Sequence, residues 1–386
     1  MRYALVGLAA AVAAFLLAPL VLREPPASRP AAARGGSLEQ RFPEQLALFR
    51  RPSVEDARWL EKRGHAFSLE ERDETDPDED PRWRRILAGR PKRRPLSAAC
   101  LECHATGGAG AVAGYYEAAK RKPLGCADCH DPQTAELRLT RGGTAAAREW
   151  AGRLRSLTVA ARPREEVTPH YEELRTALCA QCHRQYLIGP AGQITFPEGR
   201  TAEEIERWYE RTAHAGWTHA ETGARVLEAR HPQFELSSLG IHARAGASCA
   251  DCHMPLLRRG AVRITDHRAR SPLDMLDRAC LRCHRATVEE MRARVKTVQD
   301  RTAALLSRAQ DALVAAIDRI QTAQAAGARC DEALRLQTKA QWRIEFVAAD
   351  RSRGFHAPQE AARLLGEAID YARQAELEAL RAVIRP

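Results

Sequence analysis

Five copies of one short pattern carry most of the chemistry in this sequence: Cys100-Leu-Glu-Cys103-His104, Cys126-Ala-Asp-Cys129-His130, Cys179-Ala-Gln-Cys182-His183, Cys249-Ala-Asp-Cys252-His253 and Cys280-Leu-Arg-Cys283-His284. Each reads Cys-x-x-Cys-His, the spacing of covalent c-type haem attachment. Two thioethers take the porphyrin's vinyl groups, and the next residue sets an imidazole beneath the iron. Disulfides need no histidine, and a thioredoxin-like redox pair would not recur five times. Zinc knuckles come in pairs, whereas the intervals here are irregular. The motifs use ten of the eleven cysteines. The eleventh, Cys330, falls in a helical segment and reads as a small buried apolar residue.

Haem also accounts for an odd composition. Of 386 residues, 45% are hydrophobic and 28% charged, but only 5% are aromatic. The first two fractions are those of a folded soluble protein and argue against wholesale disorder or a polytopic membrane protein. Length alone allows two or three ordinary domains. Aromatic side chains usually supply much of a core's buried area; here five flat porphyrins are expected to do so. The formal charge of +10 would ordinarily suggest an anionic partner, nucleic acid included. Five haems bring ten propionates, so nucleic acid is set aside. The arginine excess is assigned to propionates, the surface and attraction of an anionic substrate.

The elements that position these motifs follow from periodicity. Arg2 precedes an uncharged stretch from Tyr3 to Leu22, closed by Arg23 and Glu24. It is long enough to span a bilayer as a helix, which favours an uncleaved signal-anchor over a cleaved signal peptide. Either implies export. Residues 23–36 read as a Pro/Ala/Gly linker. Residues 37–285 hold the haem motifs in loops and short helices, without the alternation of a sheet. In the C-terminal region, 286–386, Val288, Met291, Val295, Val298, Thr302, Leu305, Ala309, Leu313, Ala316 and Ile320 step by three and four, predicting a long amphipathic helix. A second helix is expected from about Asp331 to Asp350. A third follows Pro358, with Ala361, Leu365, Ala368, Ala372, Ala375, Ala379 and Ala382 along one stripe. The fold class is all-α, a multihaem cytochrome c with a haem-filled core. The Ala-lined helices suit either an intramolecular cap or a homodimer interface.

Five irons have ten axial positions, and the motif histidines fill five. Eight further histidines remain, so counting alone leaves open whether one iron lacks a sixth ligand. Cys179 to Tyr186 (CAQCHRQY), Glu228 to Phe234 (EARHPQF), Gly240 to His242 (GIH), Cys249 to Pro255 (CADCHMP), Thr265 to His267 (TDH), Gln341 to Arg343 (QWR) and His356 to Glu360 (HAPQE) occur in that order. Together they resemble the pentahaem ammonia-forming cytochrome c nitrite reductases over roughly residues 60 to 375.

The resemblance implies that the Cys100–His104 haem is catalytic and open on its distal face. It implies His65 as distal ligand of the third-motif haem, His242 of the fifth, His267 of the second and His356 of the fourth. His231 and Tyr186 would stand over the open iron, His231 in an extended backbone set by Pro232. His231 would deliver protons near neutral pH, Tyr186 would add a phenolic donor, and an arginine would fix the anion. His170, His214 and His219 are left as structural or solvated histidines.

Three departures from the commonest family pattern alter these expectations. The active haem's motif usually ends in Lys and here ends in His104, as in a minority of the family. The family's calcium site uses a glutamate and a glutamine where this sequence has Gln185 and Arg230. With a carboxylate lost and a cation gained, calcium is expected to bind poorly and the Arg230 guanidinium to take its place; a bland alternative is that Arg230 faces a propionate. The substrate arginine should lie between His65 and Cys100, where Arg84, Arg85 and Arg90 are candidates and spacing favours Arg90.

The reading is therefore an exported, periplasmic reductase converting nitrite to ammonium, supplied with electrons by a quinol-oxidising multihaem cytochrome or a soluble carrier. The alternatives are a non-catalytic pentahaem electron carrier, or an open-site reductase acting mainly on hydroxylamine or sulfite.

Overall fold

The computed structural model describes residues 36–50, 80–91, 125–140, 171–189, 194–214 and 216–384. The stretch Tyr3 to Leu22, His65, the first motif from Cys100 to His104, and His170 lie outside them. The helices in chain order are α1 (Leu38–Arg41), α2 (Pro43–Arg50), α3 (Pro81–Ile86), α4 (Tyr171–Ala180), α5 (Ala202–Arg211), α6 (Gln233–Leu239), α7 (Ile241–Arg244), α8 (Cys249–His253), α9 (Leu276–Ala279), α10 (Val288–Ala325), α11 (Asp331–Ala349) and α12 (Pro358–Ile384). Three small antiparallel hairpins interrupt them: β1–β2 (Leu187–Ile188, Ile194–Thr195), β3–β4 (Trp217–Thr218, Arg225–Val226) and β5–β6 (Leu256–Arg259, Val262–Thr265). The fold is mainly helical, as the periodicity indicates.

The last three helices fall close to where their apolar steps place them. α10 begins at a capping box: the Thr287 hydroxyl accepts the Glu290 N–H at 3.1 Å, and the Glu290 carboxylate accepts the Thr287 N–H at 2.8 Å. It ends before Gly327, whose φ of +81° is the left-handed conformation glycine adopts at no steric cost. Met291, Val295, Ala309, Leu313, Ala316 and Ile320 are buried along one stripe. α12 lays its buried Ala361, Ala368, Ala372, Ala375 and Ala379 between α10 and α11. Side chains that small let helix axes approach closely.

Gln341, Trp342 and Arg343 of α11 knot this bundle to the rest of the chain. Gln341 Nε2 donates to the Ile86 carbonyl at 2.7 Å, and Trp342 Nε1 donates to the Ala202 carbonyl at 3.0 Å. Arg343, 2% exposed, pairs with Glu206 of α5 at 3.2 Å and Glu367 of α12 at 2.8 Å. Trp83, Ile86, Ile205, Tyr209, Trp217 and Val226 therefore share one apolar cluster with α10, α11 and α12. Each fully buried large side chain there contributes about 1.5–3 kcal/mol.

The motif-bearing part is built differently. Between residues 240 and 285 the buried apolar side chains are Ala250, Pro255, Ile264, Met275 and Leu276. Such a stretch needs an interior supplied by something other than its own side chains. Among the described residues, no helix is long and apolar enough to cross a membrane.

Candidate haem ligands and active site

Four of the five attachment motifs are described, and each closes into a single helical turn. The motif histidine's N–H donates to the first cysteine's carbonyl at 2.9 Å for His130 and Cys126, 2.9 Å for His183 and Cys179, and 3.0 Å for His284 and Cys280. Residues at i, i+3 and i+4 of such a turn share one face, so two thiols and an imidazole are presented together. All nine described cysteines are free of disulfides. The turns also adjoin one another. The Cys179 and Cys249 thiols are neighbours, as are Cys252, Cys280 and Cys283.

A second histidine stands opposite each of three of these turns. Ring centroids are 6.2 Å apart for His130 and His267, 6.2 Å for His242 and His284, and 6.4 Å for His253 and His356. Two imidazoles sandwiching one metal, with metal–nitrogen bonds of about 2 Å, put their centroids about 6 Å apart. The hydrogen bonds behind these rings fit as well. Nδ1 contacts the Ala135 carbonyl for His130, the Arg270 carbonyl for His253 and the Thr265 carbonyl for His267, at 2.8 to 3.0 Å. His356 Nδ1 meets the Asp350 carboxylate at 2.6 Å. Donation from Nδ1 fixes the tautomer and leaves Nε2 bare for a metal. The residues present suit haem iron in a paired-histidine setting.

A second cluster lies beside the third motif. The rings of Tyr186 and His231 stack, 5.7 Å between centroids and 14° from parallel. His183 stands edge-on to His231, at 6.0 Å and 85°. Hydrogen bonds staple the two segments: Phe234 N–H to the His183 carbonyl at 3.0 Å, Gln185 N–H to the Glu235 carboxylate at 3.1 Å, and Arg230 N–H to Gln185 Oε1 at 2.7 Å. Burial pushes the Glu235 carboxyl up to about 7, with Arg184 opposing.

One expectation fails here. His231 is not extended; its φ is +43°. That is uncommon for a residue with a Cβ and costs on the order of 1 kcal/mol or more. The flanking bonds from Arg230 and Phe234 hold both ends of the residue to the third-motif segment and outweigh the preference Pro232 imposes.

Gln185 and Arg230 also divide their work differently from expectation. It is the Gln185 amide that enters the cage of oxygens, donating from Nε2 to the Glu228 carbonyl at 2.9 Å, the Tyr209 hydroxyl at 3.0 Å and the Tyr186 carbonyl at 3.4 Å. The Arg230 guanidinium lies over the Tyr186 ring at 5.7 Å and pairs with Glu228 at 2.8 Å. The cage is thus filled by an amide and the guanidinium is displaced toward the phenol, where the Glu228 carboxylate two residues away attracts it.

Of the candidate arginines, Arg90 reaches this cluster. Its Nη2 pairs with Glu228 at 3.0 Å and its guanidinium lies over the Trp217 ring at 5.5 Å. The turn that carries it is gripped by the β3–β4 hairpin: Ala220 N–H and Trp217 Nε1 both donate to the Ala88 carbonyl, at 2.9 and 3.3 Å. Arg85 is engaged elsewhere, by Glu221 and Asp318 at 2.7 Å each, and Arg84 is exposed. His219, fully buried, bridges the Arg85 carbonyl at 2.9 Å and the Thr222 hydroxyl at 3.2 Å, a structural role. His214 packs on Tyr209 at 5.4 Å. Cys330 is buried. Sequence reasoning missed Glu228, Glu235 and Tyr209; Glu228 opens a quoted motif, yet nothing local says that it faces two arginines.

The family model for cytochrome c552 matches residues 55–385. The chain belongs to the cytochrome c552 family. Covalently bound haem c follows from that membership. The cytochrome is 40% identical to the cytochrome c-552 of Bacteroides fragilis strain YCH46 over 261 residues, which is 66% of this chain and 51% of the relative. It is 37% identical to that of Porphyromonas gingivalis strain W83 over 269 residues, 68% and 52% of the two chains. The chain spans about half the length of these curated relatives. A solved cytochrome c nitrite reductase catalytic subunit from Desulfovibrio desulfuricans, described with two calcium sites, superposes with a TM-score of 0.59 at 30% identity, covering 68% of this chain and 58% of that one.

Proposed function

We propose that this cytochrome is an exported pentahaem reductase converting nitrite to ammonium at an open haem on the Cys100–His104 motif. One arrangement carries the reading: the Tyr186–His231 stack with the Arg230 guanidinium 5.7 Å from the phenol ring and Arg90 joined to it through Glu228. An imidazole, a phenol and two guanidiniums in one place suit a small oxyanion that must gain protons and lose its oxygens as water. Kinship with the Desulfovibrio nitrite reductase supports that substrate.

Bound haem would relay the donor's electrons and offer an iron able to take the nitrogen end of the anion. The protein's own groups do the rest. Arg90 and Arg230 draw in the anion and orient it. Tyr186 donates from its hydroxyl to a substrate oxygen. His231 donates from a ring N–H and regains the proton near neutral pH. In the same reading His65 serves the third-motif iron, and His242, His267 and His356 serve the fifth, second and fourth.

Calcium has no place in this account. The Gln185 amide supplies donors where a cation would need acceptors, and the Glu228 carboxylate beside it is taken by Arg230 and Arg90. The alanine stripe of α12 caps the chain's own helices, so a homodimer interface is proposed on the exposed face that carries Leu377, Leu380 and Ile384. Electrons are proposed to come from a quinol-oxidising multihaem cytochrome or a soluble carrier, in the periplasm, with the N-terminal segment serving as signal or anchor. The test is stoichiometric: reduced holoprotein should convert nitrite to ammonium one for one. Nitrite loss without ammonium, or no loss, contradicts it.

A second reading is favoured by one distance. At 6.0 Å, His183 and His231 are spaced almost like the three axial pairs, so His231 could close the third-motif iron instead of standing over the first. In that case His231→Ala creates a new high-spin haem; in the catalytic reading it removes turnover and leaves the haem spectrum unchanged.

A further inference from the structure

Three charged side chains meet beside the Tyr186 ring. Glu228 Oε1 accepts from Arg90 Nη2 at 3.0 Å and from Arg230 Nη2 at 2.8 Å, and its Oε2 accepts from Arg230 Nη2 at 2.9 Å. The Glu228 side chain is 17% exposed, Arg90 26% and Arg230 32%. Burial alone would raise the Glu228 carboxyl's pKa, but Arg230 and Arg90 outweigh it and hold the group below the ordinary glutamate value. The carboxylate is therefore ionised at neutral pH, and these three side chains together sum to one positive charge.

We propose that Glu228 sets anion specificity: by cancelling one of two guanidinium charges, it matches the site to a monoanion such as nitrite and against a dianion such as sulfite. The inference rests on the nitrite-reductase reading of this cluster and adds its charge selectivity. The physical basis is that Coulomb energy scales with the product of the charges. One unit of charge added to the site acts twice as strongly on a dianion as on a monoanion. If a substitution changes nitrite affinity by some factor, it changes sulfite affinity by about the square of that factor. Charge from haem propionates is common to every variant and cancels in the comparison.

The experiment titrates the ferric holoprotein with nitrite and with sulfite at fixed ionic strength, above neutral pH where sulfite is largely dianionic, and reads both dissociation constants from the haem spectrum. Glu228→Gln should tighten nitrite by about threefold to tenfold, and sulfite by about the square of that. Arg230→Gln should weaken both, sulfite more. The double variant Glu228→Gln/Arg230→Gln restores the net charge, so its sulfite-to-nitrite ratio should return to the wild-type value. A merely structural role for Glu228 would not produce that return.

A sulfite-to-nitrite affinity ratio (the nitrite dissociation constant over that of sulfite) that does not rise in Glu228→Gln, or does not fall in Arg230→Gln, overturns the proposal. If Glu228→Gln does not take up its haems, the Arg230→Gln ratio decides alone. Wild-type protein that binds nitrite with ratios indifferent to charge sinks only this inference; wild-type protein that binds neither anion sinks the nitrite reading with it.

Discussion

Tyr186 and His231, 45 positions apart in the chain, stack within 14° of parallel at 5.7 Å. Neither position is fixed by its own element. Tyr186 leaves the third motif just before β1, and His231 precedes α6 in a left-handed conformation. The staple between His183–Gln185 and Arg230–Glu235 brings the two together. A strained residue held by its neighbours beside a proton-exchanging group is a pattern that occurs at reactive sites.

Removing either group should therefore cost turnover and not folding. Tyr186→Phe and His231→Asn are each expected to lower nitrite turnover roughly 100-fold, the scale of a lost proton donor. Mass and absorption spectra should show all five haems retained. Wild-type turnover in either variant removes that residue from the mechanism.

Calcium dependence gives a second expectation. With the Gln185 amide nitrogen facing the Glu228 and Tyr186 carbonyls and the Tyr209 hydroxyl, treatment with a calcium chelator should leave nitrite turnover within about twofold of the untreated value. Activity that collapses with chelator and returns on adding calcium contradicts the arrangement.

Glu235 sets a pH dependence of stability. Its folded-state pKa is raised from 4.5 to about 7, so the folded protein prefers the protonated form. That preference favours folding fully below the unfolded value and is lost as pH rises through about 7. Ionisation at pH 8 then costs on the order of 3 kcal/mol. Glu235→Gln keeps an acceptor for the Gln185 N–H and escapes the cost. Its melting temperature relative to wild type should rise between pH 5 and pH 8. A difference that is flat across that range contradicts the assignment.

The haem-binding half is legible in sequence because covalent attachment demands fixed spacing: no other use of Cys-x-x-Cys-His explains five copies. The C-terminal helices are legible because Ala309, Leu313 and Ala316, or Ala368, Ala372 and Ala375, recur at helical steps and nothing competes with that period. What escapes is tertiary. Glu228 reads as one more acid until two arginines, 138 and two positions away, converge on it. The left-handed His231 defies the rule for residues preceding proline because hydrogen bonds from distant segments override it. The direction of the Gln185 amide likewise depends on Tyr209, which no local pattern links to it.

The central claim is that one haem keeps an open position under this cluster, and electron paramagnetic resonance of the ferric holoprotein tests it most directly. The expected result is one high-spin haem beside four low-spin ones, with the high-spin signal shifting when nitrite or cyanide is added. A spectrum that is low-spin throughout and indifferent to both anions would make this cytochrome an electron carrier with every iron closed.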